Sequence, residues 1–311
     1  MLYVIPISLF CLAAGLTPLA ARWARHLKIV DHPEGTPLKI HTEPRPLCGG
    51  MVLAVCLTVG SLIYLTQYPF SKAGVTQIIL ILVAGLLVFF VGLKDDKAGL
   101  HPGFRLGIHF FSASIVLLMG IRFGMLPCGI AGICITLFCL VGTLNAWNFI
   151  DGMDGLCASL ALISGTGFLM LGYGQSNNVL MVFALIMGVS LLGILLYNLF
   201  PARIFLGDSG SGLLGLLLSS MVIVANPGIW NLKVFLGFML LIGIPLADIF
   251  IAVMRRIFSQ RPLFQGDRNH IYDLLLKKGW SQPKVWALLC GIQVLFVLAG
   301  LKILETVTKP C

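Results

Sequence analysis

Long apolar runs separated by short polar intervals dominate this chain. Ten runs approach or exceed the length of a bilayer-crossing helix, about 20 mainly apolar residues. They fall at approximately 3–21, 49–66, 75–92, 105–121, 126–144, 156–173, 178–199, 210–225, 232–254 and 285–304. The pattern predicts an all-α, polytopic integral membrane protein of about ten transmembrane helices. Ten such spans leave no room in 311 residues for a sizeable soluble domain, so residues 1–311 are read as one transmembrane domain. The opening run, MLYVIPISLFCLAAGLTPLA, has no basic leading segment and continues into Arg22 and Arg25, as a retained first helix would.

Composition supports this reading. Hydrophobic residues make up 58% of the chain and charged ones 11%, with a mean hydropathy of +0.99. Soluble domains carry about a quarter charged residues. Taking the intervals alternately, sixteen Lys and Arg residues fall on one face and five on the other. The positive-inside rule therefore makes the first face cytoplasmic and places both termini outside. Its loops are 22–48, 93–104, 145–155, 200–209 and 255–284, while outer connections such as GYGQSNN and NPGIWN are minimal. The net charge of +9 is mostly this topological bias, which suits contact with anionic lipid headgroups. Nucleic-acid binding is excluded, since the basic residues sit in short loops tied to helices and form no recognised binding motif. The nine cysteines contain no CxxC pair and read as small apolar residues.

The acidic residues change the picture from scaffold to chemistry. Eleven of the twelve fall in or near the cytoplasmic loops. Asp95 and Asp96 end the third run in GLKDDK, flanked by Lys94 and Lys97. Neighbours on a helix point about 100° apart, so one carboxylate can hold a metal while the other accepts a proton. Asp151 and Asp154 stand three apart in NAWNFIDGMDG, on one face if that segment is helical. Asn145 and Asn148 supply amides suited to a base or sugar. No Lys or Arg lies between Arg122 and Arg203 to neutralise the pair, which favours a ligand. Asp208, in FLGDSGS, opens the eighth run, either as its own helix cap or beside an anion-binding helix start. Asp248 lies within the ninth run, seven residues from Arg255. A charge at that depth requires a polar partner or cavity, and Pro245 just before it can open a local kink that helps. The final loop brings Arg261, Asp267, Arg268 and His270 before the amphipathic segment IYDLLLKKGW.

In their order along the chain, the segments KIVDHPEGTPLKIHTEPRPLCGG, GLKDDK, NAWNFIDGMDG, FLGDSGS, PLAD and the histidine-bearing loop resemble the polyprenyl-phosphate N-acetylhexosamine-1-phosphate transferase superfamily. The likeness spans nearly the whole chain. It implies a magnesium-dependent enzyme, with Mn²⁺ able to substitute, that moves a sugar 1-phosphate from a UDP-sugar to a polyprenyl phosphate and releases UMP. It implies Asp95, Asp96 and His270 as catalytic residues and Asp208 with Asp96 as metal ligands. Lys39, Lys97, Asn145, Asn148, Asp151, Asp154 and Arg268 become substrate-binding candidates. Membrane lipids are implied partners, with a second copy of the chain as a candidate one. The implied location is a bacterial cytoplasmic membrane, with the site on the cytoplasmic face. Where GlcNAc-type relatives carry His-x-His-His, this chain reads His270-Ile271-Tyr272-Asp273. The departure leaves the donor sugar open and separates the chain from the peptidoglycan translocase.

Overall fold

The structure is a computed structural model that describes residues 4–33, 43–119, 130–225, 232–260 and 269–308. Its helices are α1 (Val4–His26), α2 (Gly49–Gln67), α3 (Lys72–Ala98), α4 (Pro102–Leu117), α5 (Ile130–Ile150), α6 (Leu156–Gly174) and α7 (Asn178–Asn198). They continue with α8 (Gly207–Ala225), α9 (Leu232–Ile242), α10 (Ile244–Phe258), α11 (Ile271–Lys277) and α12 (Gln282–Thr308). Two short strands, β1 (Val30–Asp31) and β2 (Arg45–Pro46), pair antiparallel between α1 and α2. Among the described residues, eight helices are long and apolar enough to cross a membrane, and α9 with α10 makes a ninth if that bent pair is one span. Helix α4 has 16 residues, about 24 Å of rise, short of a hydrocarbon core of roughly 30 Å.

Helix starts follow local chemistry. The Ser71 hydroxyl accepts the Gly74 N–H at 3.1 Å to open α3, and the Asn177 side chain accepts the Leu180 N–H at 3.1 Å to open α7. Pro102 begins α4, where its missing N–H costs nothing. Helix ends differ from the expected spans in one consistent way. α3 continues to Ala98 and α5 to Ile150, so Asp95, Asp96, Asn145 and Asn148 lie on helices rather than in loops.

Helix α8 is the axis of the bundle: every residue in it except Asp208 is buried. It packs against α3 and α5, and glycine lets the backbones approach. A Cβ on Gly92 of α3 would fall 2.5 Å from Ser209 Cα, and one on Gly50 of α2 would fall 2.5 Å from the Gly210 nitrogen. Small residues allow this packing where helix association has no hydrophobic drive of its own. The segment before α8 hangs from the segment before α2. Phe205 N donates to Pro46 O at 2.9 Å, and Cys48 N and Gly49 N both donate back to Phe205 O.

The expected continuous span at 232–254 is broken. α9 and α10 meet at 98°, at Gly243, whose φ of +55° suits glycine; Pro245 follows in the first turn of α10. A break inside a bilayer frees backbone groups that need new partners. Gln293 of α12 supplies them: its Oε1 accepts the Ile244 N–H at 2.8 Å, and its Nε2 donates to Leu241 O at 3.1 Å and Ser164 Oγ at 3.0 Å.

Candidate active site

Three helix termini, the end of α3, the end of α5 and the start of α8, converge at one end of the bundle. Both carboxylate oxygens of Asp96 accept backbone N–H groups at the start of α8, from Asp208 at 2.7 Å and Ser209 at 3.1 Å. The cap of α8 is therefore Asp96 from α3, and of the two roles that the sequence leaves open to Asp208, capping its own helix is not the one adopted. Gly207 makes the approach feasible: its φ is +77°, and a Cβ there would fall 2.6 Å from Asp96 Oδ2.

With its helix capped by another residue, Asp208 turns outward. Its Oδ1 accepts from Asn148 Nδ2 at 2.6 Å, and its Oδ2 lies 3.2 Å from Arg105 Nη1. Asn148 also donates to Ser211 Oγ at 3.1 Å. The same Arg105 nitrogen meets Asp95 Oδ2 at 2.8 Å, while Asp95 Oδ1 accepts the Leu100 N–H at 2.6 Å. Arg105 thus bridges Asp95 and Asp208, a role that the sequence reading did not assign. Its signal was present: a cation one turn into α4, ten residues beyond Asp95.

Asp151 and Asp154 occupy the turn between α5 and α6 rather than a helix face. Asp154 Oδ2 accepts the Ala202 N–H at 2.9 Å, tying this turn to the segment that leads into α8. Burial, together with the Asp208 and Asp96 carboxylates, pushes the Asp151 acid well above the ordinary carboxylate range. Asn145, one turn before Asn148 on α5, donates back to Val141 O at 2.8 Å on its own helix. Lys97 is exposed at the end of α3. Lys39 and Arg268 lie outside the described residues.

His270, 6% exposed, stands before α11. Its Nδ1 lies 2.6 Å from Asp248 Oδ2, and Asp248 Oδ1 accepts the Ile271 N–H at 2.7 Å. The His270 ring stacks with Phe149, centroids 5.5 Å apart, and with Tyr272 at 6.0 Å. The Tyr272 hydroxyl packs on Gly152, where a Cβ would collide with it. Asp273 accepts the His270 N–H at 3.3 Å and so helps cap α11. The two residues that replace histidines therefore secure the loop to the NFIDGMDG segment and to its own helix.

Asp208, Asp96 and Asp151 offer the hard oxygen ligands that magnesium prefers. The uncompensated acidity around Asp151 is what a cation would relieve. Among the described residues no three His, Cys, Asp or Glu side chains form a ready-made cage. Magnesium needs none, because it is held through one or two carboxylates, water and substrate phosphates. The donor set therefore fits that ion.

Carboxylates gathered at the helix ends of an apolar bundle, with Arg105 between two of them, mark the candidate site of a polytopic membrane protein. The chain belongs to glycosyl transferase family 4, whose family model matches residues 78–226, from within α3 through α8. It is 31% identical over 279 residues to the decaprenyl-phosphate N-acetylglucosaminephosphotransferase of Mycobacterium tuberculosis, covering 79% of this chain and 69% of that one. It is 26% identical over 312 residues to the undecaprenyl-phosphate alpha-N-acetylglucosaminyl 1-phosphate transferase of Escherichia coli, covering 94% and 82%. It is also 26% identical over 330 residues to the phospho-N-acetylmuramoyl-pentapeptide-transferase of Staphylococcus carnosus, covering 97% and 98%.

Proposed function

We propose that this protein transfers N-acetylhexosamine 1-phosphate, with N-acetylglucosamine 1-phosphate the first candidate, from a UDP-sugar to a polyprenyl phosphate. UMP leaves and a lipid-linked glycan begins. The observation that carries this reading is the Asp95–Arg105–Asp208 bridge at the start of α8, in a chain whose relatives are named for transfer to decaprenyl and undecaprenyl phosphate. The bacterial sources of these relatives support a bacterial cytoplasmic membrane, and the sixteen-to-five bias of basic residues supports this site on its cytoplasmic side.

An oxygen of the lipid phosphate attacks the β-phosphorus of the donor, and the bond to the UMP oxygen breaks. Two anions must meet, so the chain's work is alignment and charge screening. Asp208, with Asp96 and Asp151 beside it, would hold magnesium, which would supply neutralisation of phosphate charge there. Arg105 presents its guanidinium to a phosphate oxygen, held in place by Asp95. Asn148 fixes the orientation of the Asp208 carboxylate. Asp96 sets the first turn of α8 through its two backbone hydrogen bonds. The acceptor phosphate is already largely ionised, so no strong base is required.

The reading is tested with protein purified in detergent, supplied with Mg²⁺, undecaprenyl phosphate and a panel of UDP-N-acetylhexosamines. Release of UMP with a lipid-diphosphate-sugar product, identified by mass, is the expected result. Failure of every donor to yield UMP overturns it, and turnover only of the UDP-MurNAc-pentapeptide donor replaces it with pentapeptide-sugar transfer.

A further inference from the structure

Asp248 is almost wholly buried, 1% exposed, one turn into α10. A carboxylate placed there is costly unless donors compensate it. Two groups at the start of α11 face it: the Ile271 N–H donates to Oδ1, and His270 Nδ1 lies 2.6 Å from Oδ2. Oδ1 accepts the Ile271 N–H, and an ionised carboxylate has no proton to give from Oδ2, so with Asp248 ionised the ring nitrogen that faces it carries the proton. The lone pair of the neutral imidazole is then left on Nε2, which hydrogen-bonds to no described residue.

The ring's orientation is held independently. Phe149, which stacks with it, adjoins Asn148, the donor to Asp208. Tyr272, stacked with the same ring, reaches Gly152 beside Asp151. Both aromatic contacts are thus rooted in the segment that reaches the carboxylate cluster, whereas Asp248 comes from α10, beyond the break at Gly243.

We propose that Asp248 is the positioning residue of His270: it fixes the Nδ1–H tautomer and presents Nε2 to the substrate phosphates as the single nitrogen that gains or gives a proton. This rests on the phosphotransfer reading above. With Nε2 protonated by solvent water, the Asp248 carboxylate faces the imidazolium, whose Nε2–H then donates a hydrogen bond to a phosphate oxygen; the proton returns to solvent when product leaves. Asp248 makes no contact with substrate in this scheme and acts only through the ring.

Two readouts on the full chain test it, one needing no substrate. With histidine selectively labelled with ¹⁵N and the His270 signals assigned by His270→Gln, the neutral wild-type ring shows protonated Nδ1 and bare Nε2. Asp248→Asn offers one acceptor where two N–H donors point, so this signature is lost. Its kcat for the donor falls about 10–100-fold, as on loss of a histidine's orienting partner, while its KM stays within about twofold and its melting temperature is retained. Asp248→Glu recovers the signature and part of kcat. A wild-type ring protonated on Nε2, an unchanged signature in Asp248→Asn, or a changed signature with wild-type kcat each overturns the proposal. If no donor is turned over at all, the phosphotransfer reading fails, while the spectra still decide whether Asp248 sets the tautomer.

Discussion

Asp96 on α3 caps α8 with both carboxylate oxygens, and so releases Asp208, the second residue of α8, to face Arg105 and Asn148. A helix start leaves four N–H groups without internal partners, and Asp96 satisfies two of them. Neighbouring acids in the chain thus have different tasks: Asp95 faces the cation and Asp96 faces a helix.

The difference is measurable. Asp208→Asn is expected to lower turnover by about 10²-fold or more while leaving the melting temperature unchanged or raised, since it removes a charge near Asp96 and Asp151. Asp96→Ala should lower both, with about 1–2 kcal/mol of stability lost with the cap. Activity assays paired with thermal melts in detergent check this; equal melting of the two variants would contradict the division of roles.

Arg105 joins Asp95 to Asp208 through one nitrogen. Arg105→Met is expected to cut kcat/KM by about 10²-fold, and Arg105→Lys by less, since an ammonium keeps the charge and loses the planar fork. Steady-state kinetics with both substrates varied distinguishes these outcomes, and wild-type rates in Arg105→Met would remove the guanidinium from the mechanism.

Asp151 gives a pH signature. Its folded-state acid is raised by burial and by Asp208 and Asp96, so its contribution to stability is complete below the ordinary carboxylate range. That contribution is lost as pH rises through the range and up to the raised value. In chelator, the melting temperature should therefore fall from mildly acidic to neutral pH, and Asp151→Asn should flatten the slope. Millimolar Mg²⁺ should restore more stability at the higher pH. Equal Mg²⁺ stabilisation at every pH would argue against carboxylate binding.

Close packing at α8 predicts a remote effect. Gly92→Ala puts a methyl against Ser209, and overpacking of this kind costs about 1–3 kcal/mol. It should also displace the N–H groups that Asp96 caps. Turnover is expected to fall together with melting temperature, whereas Gly107→Ala, where a Cβ would meet nothing within 4 Å, should lower neither.

Gln293 supplies the backbone partners lost at the α9–α10 break. Gln293→Leu keeps the bulk and leaves the Ile244 N–H unpaired, a loss of about 1–3 kcal/mol visible as a lower melting temperature. Retained stability would show that the break satisfies itself by other means.

Apolar runs long enough for a membrane were legible in the sequence, as was the clustering of acids at their ends, because both depend on local composition. At the α9–α10 break, Pro245 signalled a local kink, but nothing near it showed a 98° bend or that Gln293, fifty residues beyond Gly243, fills the gap. Asp151 and Asp154 were visible as acids. Their division into a charge-coupled group and an anchor for Ala202 depends on a turn whose contacts are long-range. Arg105 was counted as a topological charge, and only the fold of α4 back onto α3 brings it between two aspartates. Asp248 announced itself as a charge needing a partner, but nothing near it in the chain named His270.

The pairing of Phe205 with Pro46, Cys48 and Gly49 has a practical side for anyone recombining this enzyme with a relative. The stretch that matches the family model begins at residue 78, yet the strap that holds the entrance to α8 is donated from well upstream of it. A chimera that exchanges residues 203–210 without 45–50 would join halves of one clasp taken from different proteins. The unit of inheritance for the Asp208 turn is therefore discontinuous, and the smallest functional transplant carries both pieces.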